Sequence, residues 1–207
     1  MPALEAWPHI TRVPRPESPI PHPHSVIISL QKEQCLSAAR RPAFDIISHG
    51  PDQTRAIGAL VGKVVPRGSL LLLSGDIGAG KTTFVQGLAR PLQTGDQIQS
   101  PTFTIVAEHT GTGIDNKPLR LYHIDLYRLE GVGDLDSVGL DEYLSDPDGL
   151  TVIEWPERGR DWLPKEYLLI DLQTVSDSKR NLRMTPYGAC YVELIKRFRK
   201  EMLGSRG

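Results

Sequence analysis

From residue 69 to residue 74 the chain reads SLLLLS, its most apolar run, and the next residues are polar or glycine. Four leucines without alternation predict a strand buried on both faces, the kind found at the centre of a parallel sheet. Upstream, GPDQTRAIGALVGKVV (residues 50–65) sets Ile57, Leu60, Val61, Val64 and Val65 at helical spacing, with Pro51 suited to a first turn. Pro66, Arg67 and Gly68 end that helix as a turn. Downstream, KTTFVQGLARPL returns to helical period through Phe84, Val85, Leu88 and Leu92. The local order is therefore strand, glycine-rich loop, helix.

Further along, SPTFTIVAEHT predicts a loop feeding a strand, and Gly111, Gly113 and Asn116 supply a turn. LRLYHIDLYRL predicts the returning strand, and DLDSVGLDEYL a short helix. GLTVIEW is a second apolar strand that ends on a carboxylate. EYLLIDLQTV and NLRMTPYG predict a closing hairpin. In YVELIKRFRKEML, residues Tyr191, Leu194, Ile195, Phe198 and Met202 share one helical face. The expected fold is α/β, in three layers with a mostly parallel central sheet and antiparallel hairpin strands.

Residues 1–43 read differently. Pro2, Pro8, Pro14, Pro16, Pro19, Pro21, Pro23 and Pro42 argue for a disordered or poorly packed extension, with a short strand or helix at most over residues 26–36. His22 and His24 lie there too, but nothing completes a metal site around them. Residues 44–207 are expected to form one folded domain with a C-terminal helix.

Composition narrows the function. The chain has 207 residues, 39% apolar and 24% charged, as an ordinary globular protein does. A net charge of −1 argues against a dedicated nucleic-acid binder, so any RNA is expected to be held mainly by a partner. No apolar run approaches the ~20 residues that cross a bilayer, and the N-terminus lacks the apolar centre of a secretory signal. Cys35 and Cys190 have no metal spacing and form no redox motif, so plain reduced thiols and a cytoplasmic location are expected.

The chemistry begins after the leucines, in SGDIGAGKTT. Gly75, Gly80, Lys81 and Thr82 satisfy G-x-x-x-x-G-K-[ST]. The glycines let successive backbone N–H groups turn inward on phosphate oxygens, and the next helix adds its positive end. Gly75, Asp76, Gly78, Ala79, Gly80, Lys81, Thr82 and Thr83 are thus the expected nucleotide cradle, with Lys81 on the β- and γ-phosphates and the Thr82 hydroxyl on Mg²⁺. A chance match in a chain this long arises on the order of one time in a hundred.

Which nucleotide and which reaction need more. A GTPase carries N-K-x-D, but here Asn116, Lys117, Pro118 and Leu119 lack the aspartate. A kinase of small metabolites needs a substrate pocket and an arginine-bearing lid; Arg158 and Arg160 could serve, but no lid insertion is visible. ATP hydrolysis is the first choice, with the metabolite kinase as the alternative and a nucleotide-gated binding module as a third reading. Residues 44–207 are thus expected to be one P-loop ATPase domain of the three-layer P-loop NTPase type. Hydrolysis needs a carboxylate for Mg²⁺ and a group that orients water. Asp125 in YHIDLYR and Glu154 in LTVIE end strands at the sheet's carboxyl edge, and spacing does not divide the two tasks between them. Ser100, Thr102 and Thr104 in SPTFT could join a γ-phosphate-sensing loop. KRFRK (residues 196–200) reads as the solvated face of an amphipathic helix.

Together, LSGDIGAGKTTFVQGLAR, SPTFTIV, LYHIDLYRL and GLDEYL followed by LTVIEWPER resemble the TsaE family, also called YjeE, in that family's order and over residues 48–171. The resemblance implies a small P-loop ATPase required in bacteria for threonylcarbamoyladenosine at position 37 of tRNAs reading codons that begin with A. It further implies ATP and Mg²⁺ as cofactors, Lys81 as phosphate lysine and Thr82 with Glu154 as the Mg²⁺ pair. Asp125 becomes the acid implicated in hydrolysis, Trp155 an aromatic near the nucleotide, and SPTFT a switch. The implied partners are TsaD and TsaB, which carry out the transfer to adenosine while this ATPase resets them; tRNA would be met through that complex. Arg128 is a candidate arginine finger. Pro91 stands where the family commonly has glycine, which should stop the helix there, and His109 where tyrosine is frequent. Residues before 44 and after 175 lie outside the resemblance.

Overall fold

A computed structural model describes residues 43–95, 97–129 and 138–204. The expected extension over residues 1–43, including the element at 26–36, falls almost wholly outside them, as does the first half of DLDSVGLDEYL.

Among the described residues seven strands form one sheet: β1 (Phe44–Ser48), β2 (Ser69–Ser74), β3 (Val106–Thr112), β4 (Pro118–Asp125), β5 (Gly149–Glu154), β6 (Tyr167–Thr174) and β7 (Arg180–Tyr187). Their order is β1-β7-β6-β2-β5-β4-β3. The four central strands β6, β2, β5 and β4 run parallel, and β3, β7 and β1 add antiparallel rims. The α/β class and the hairpin rims are as the hydrophobic pattern predicts. The leucine run is β2, buried over its first five residues and placed between β5 and β6.

Among the described residues four α-helices accompany the sheet: α1 (Pro51–Gly62), α2 (Lys81–Ala89), α3 (Leu140–Ser145) and α4 (Ala189–Gly204). Helices α1, α2 and α4 cover one face, where Ile57, Val61, Phe84, Leu88, Leu194 and Phe198 pack on Leu71, Leu73, Leu121, Val152 and Ile170. The other face carries Leu70, Leu72, Ile124 and Ile153 under Leu126, Leu129 and Leu140, with Tyr143 and Trp155 alongside. Among the described residues that layer holds one short helix, α3, and connecting segments.

Contacts between α1 and α2 are made by backbone. A Cβ on Gly58 would lie 2.3 Å from the Phe84 carbonyl oxygen, and one on Gly87 would lie 2.0 Å from that of Arg55. Helix α1 ends at Gly62, three residues short of the predicted limit; Val65 closes the following turn by donating its N–H to the Val61 carbonyl at 2.9 Å and is fully buried. Helix α2 stops at Ala89 before Pro91, and a short 3₁₀ turn, Arg90–Leu92, follows. The edge strand β1 was not predicted, because FDIIS is short and takes its partner, β7, from 136 residues further on (Phe44 against Met184 gives 140; Ser48 against Arg180 gives 132).

One expectation is corrected. Cys190, at the start of α4, is disulfide-bonded, so it is not a plain thiol. The chain's other cysteine, Cys35, lies outside the described residues. Among the described residues no helix is long and apolar enough to cross a membrane.

Candidate functional site

Because β2, β4, β5 and β6 are parallel, their carboxyl ends meet at one edge. Ser74 leads straight into the glycine-rich loop there. Gly75 has φ 130°, and a Cβ on it would lie 2.3 Å from the Leu172 carbonyl oxygen, so strand β6 leaves room for glycine alone. Gly78 and Gly80 are also left-handed, at φ 77° and 100°. Gly80 caps α2 without any side-chain hydrogen bond, so the first-turn N–H groups of the helix are left for a ligand.

The loop opens on a pocket of about 370 Å³ lined by Ile77, Gly78, Gly80, Lys81, Thr82, Thr83, Ser100, Thr102, Asp125, Tyr127, Glu154 and Trp155. Of the expected cradle, Gly75, Asp76 and Ala79 sit behind this wall. Ala79 is buried, while the Gly75 and Asp76 carbonyls accept hydrogen bonds from Lys81 Nζ at 2.6 and 2.9 Å. The Lys81 ammonium also lies 3.8 Å from the centre of the Trp155 ring. Burial holds that ammonium below the usual lysine value, against the pull of Glu154, Glu157, Asp125 and Asp76.

Asp125 and Glu154 are register partners at the ends of β4 and β5, and both are buried. They serve different elements. Glu154 Oε1 accepts from the Thr82 hydroxyl at 2.9 Å and faces His123 Nε2 at 2.8 Å. Asp125 Oδ2 accepts from the Ser100 hydroxyl at 3.0 Å and from the Thr102 hydroxyl, while Oδ1 accepts the Tyr127 N–H at 2.9 Å. One carboxylate is thus tied to the glycine loop and the other to SPTFT. Thr104 is not part of the pocket wall.

Trp155 follows Glu154 in a left-handed conformation, φ 60° and ψ 50°, with its ring 4.9 Å from that of Tyr127. Arg128 stacks at 4.0 Å over Phe103, an 82% exposed residue of the SPTFT loop, and is not in the pocket wall. Arg158 and Arg160 lie in a 3₁₀ segment, Pro156–Trp162, also outside that wall. In the basic cluster of α4, Lys196 pairs with Glu193 at 2.8 Å and Arg199 lies over Phe44 at 4.7 Å, as a solvated helix face would.

Sequence reasoning passed over His123, Tyr127 and Arg180. His123 could have been found by its spacing, since two residues along a strand from Asp125 puts it on the same face. Arg180, at the start of β7, donates to the Gly78 carbonyl at 3.3 Å, a contact across 102 residues that no local pattern announces.

A protein-family model described as "Threonylcarbamoyl adenosine biosynthesis protein TsaE" matches residues 48–182. The chain belongs to the TsaE family. Proteins named "tRNA threonylcarbamoyladenosine biosynthesis protein TsaE" are similar to it. That of Bacillus subtilis is 38% identical over 141 residues, covering 68% of this chain and 84% of its own. That of a Nostoc species is 39% identical over 147 residues, covering 70% and 86%. That of Treponema pallidum is 38% identical over 136 residues, covering 66% and 96%. The crystal structure of Bacillus subtilis YdiB superposes with a TM-score of 0.64 at 32% identity, over 79% of this chain and 98% of that one. The TsaE match runs on to residue 182, past the limit near 175 expected from the motifs, and so takes in β6 and the first residues of β7.

Proposed function

We propose that this chain is a Mg²⁺-dependent ATPase that serves threonylcarbamoyladenosine formation on tRNA. It would act with TsaD and TsaB as the component that resets them, in the cytoplasm and without a membrane. The observation that carries the reading is one cluster at the carboxyl edge: left-handed glycines, an uncapped helix start, Lys81, and Thr82 hydrogen-bonded to Glu154. The family name supplies the tRNA modification. TsaD and TsaB come from the family resemblance, and they would bring the tRNA.

The residues fit ATP and Mg²⁺. Left-handed glycines and first-turn N–H groups suit a polyphosphate, and the ammonium of Lys81 sits at the same mouth. Among the described residues no group of three or more His, Cys, Asp or Glu converges as a metal cage. That suits Mg²⁺, which takes one or two protein ligands and fills its shell from phosphate and water. Thr82 and Glu154 would hold it; when bound, it neutralises charge on the phosphates.

The chain's own residues then have separable tasks. Lys81 leaves the Gly75 and Asp76 carbonyls for phosphate oxygens. Glu154 holds the Thr82 hydroxyl hydrogen. Asp125, tied to Ser100 and Thr102, lies where a carboxylate could orient water and report the state of SPTFT. Positioning and charge dominate such catalysis, so turnover alone should be slow and should rise when a partner completes the site.

The test is labelled ATP with full-length protein, with and without Mg²⁺ and the TsaD–TsaB pair. Inorganic phosphate should be released, and Lys81→Ala should bind ATP about ten-fold or more weakly, the loss of one charge-assisted hydrogen bond or more. Glu154→Gln should chiefly lose the Mg²⁺-dependent turnover. Full Mg²⁺-dependent hydrolysis by Glu154→Gln would defeat its assignment, and label on an organic acceptor would favour the kinase.

A further inference from the structure

We infer that His123 is a positioning residue for the metal-binding pair, an inference that rests on the proposed nucleotide function. Its imidazole holds Glu154 in the one orientation that takes the Thr82 hydroxyl hydrogen and turns that hydroxyl's lone pairs to the pocket.

His123 is fully buried on β4. Alternation along the strand puts it on the face of Leu119 and Leu121, beneath the helices, with Asp125 two residues further on the same side. On β5 the same alternation brings Glu154 to that face. His123 Nε2 lies 2.8 Å from Glu154 Oε1. A carboxylate only accepts, so Nε2 carries the proton.

The other ring nitrogen, Nδ1, is buried and has no hydrogen-bond partner. A buried polar atom left unpaired opposes folding, and leucine or valine would pack at a central strand without that cost. Packing alone does not call for histidine here. The group that histidine serves is Glu154, its one hydrogen-bond partner.

Oxygen Oε1 of Glu154 also accepts the Thr82 hydroxyl at 2.9 Å. A threonine hydroxyl has one hydrogen and two lone pairs. Once the hydrogen is committed to Glu154, both lone pairs are free for a cation at the pocket. That geometry lasts only while the carboxylate does not rotate, and the His123 N–H provides the second point that prevents rotation. Asp125 cannot replace it, since a carboxylate that accepts from Ser100, Thr102 and the Tyr127 N–H has no proton to donate to Glu154. Groups that orient metal-side ligands in this way typically change metal affinity by 10–100-fold when removed.

Three variants separate this role from a structural one. Glutamine carries its amide nitrogen at the ε position and can donate to Glu154; asparagine carries it at δ and cannot; leucine has no donor. The measurement is equilibrium affinity for a fluorescent ADP analogue on the full-length chain, once in MgCl₂ and once in EDTA. His123→Leu and His123→Asn should lose about ten-fold or more of the affinity gained from Mg²⁺, with affinity in EDTA unchanged. His123→Gln should keep the gain.

If the leucine variant does not fold, the glutamine and asparagine pair decides the matter. A full Mg²⁺ gain in His123→Asn, or a glutamine variant no better than asparagine, overturns the inference. A wild-type protein whose affinity ignores Mg²⁺ overturns the proposed function and this inference with it; a wild-type gain that none of the variants disturbs overturns this inference alone.

Discussion

Trp155 is an aromatic residue held at φ 60° and ψ 50°, a conformation that costs a side-chain-bearing residue about 1–3 kcal/mol. Its N–H donates to the Leu73 carbonyl at 3.2 Å, and its ring lies between Tyr127 and the Lys81 ammonium. Lys81 therefore rests on an indole and two carbonyls, both of which a phosphate would replace. Adding Mg-ATP should change the emission of Trp155, and Trp155→Phe, with Trp7 and Trp162 retained, should remove that change. An undiminished signal in the variant would place its origin elsewhere. At this scale the sequence is legible wherever chemistry depends on local spacing. Gly75, Gly80, Lys81 and Thr82 announce a tight glycine loop between strand and helix by their order, and Asp125 and Glu154 announce the carboxyl edge by ending apolar strands. The hydrogen bond of His123 joins residues 31 apart, and the backbone of Trp155 is set by neighbours, so neither is written locally.

Among the elements, the α1–α2 pair decides where the glycine-rich loop ends. Helix α2 starts at Lys81, and its lateral position is set where Gly58 and Gly87 let two backbones approach. Gly87→Ala should destabilise the domain by about 1–3 kcal/mol, the usual cost of overpacking, read as a lowered urea midpoint. Unchanged stability would mean that the helices can separate freely. Both helices were visible as apolar periodicity through Ile57, Val61, Phe84 and Leu88. Their contact was not, because a glycine within a helix reads from sequence as a weak former and gives no sign of which backbone it admits. Strand β1 escaped notice for a related reason: its five residues have little pattern until β7 stands beside them.

Over the whole molecule, the end opposite the pocket is held by charge. Asp146 accepts both Arg120 nitrogens, at 2.7 and 2.8 Å, and the Tyr122 hydroxyl at 2.7 Å. Arg120 foremost, and Tyr122 after it, hold the Asp146 carboxyl down at about 2, while burial foremost pushes the Tyr122 hydroxyl up to about 12. A depressed carboxyl stabilises the fold above its ordinary value of 3.8, and that stability is lost as pH falls towards about 2. Asp146→Asn should therefore be less stable than wild type at neutral pH, and the gap should narrow across that acid range in urea titrations. A constant gap would show that the carboxyl is not held down. Fold class was legible because the leucine strand, the loop and the later carboxylate-ended strand set a parallel centre, and α3 was legible within DLDSVGLDEYL, whereas the 3₁₀ segment Pro156–Trp162 was not, since it has no regular apolar period. The antiparallel rim has a practical consequence for anyone trimming this gene. Cutting at residue 182, where the family match stops, would sever β7 partway, leave Phe44 and Asp45 of β1 without their partners and delete Phe198 from beneath the sheet. An intact sheet therefore needs the rest of β7, and a covered one needs α4, beyond the residues of the family match.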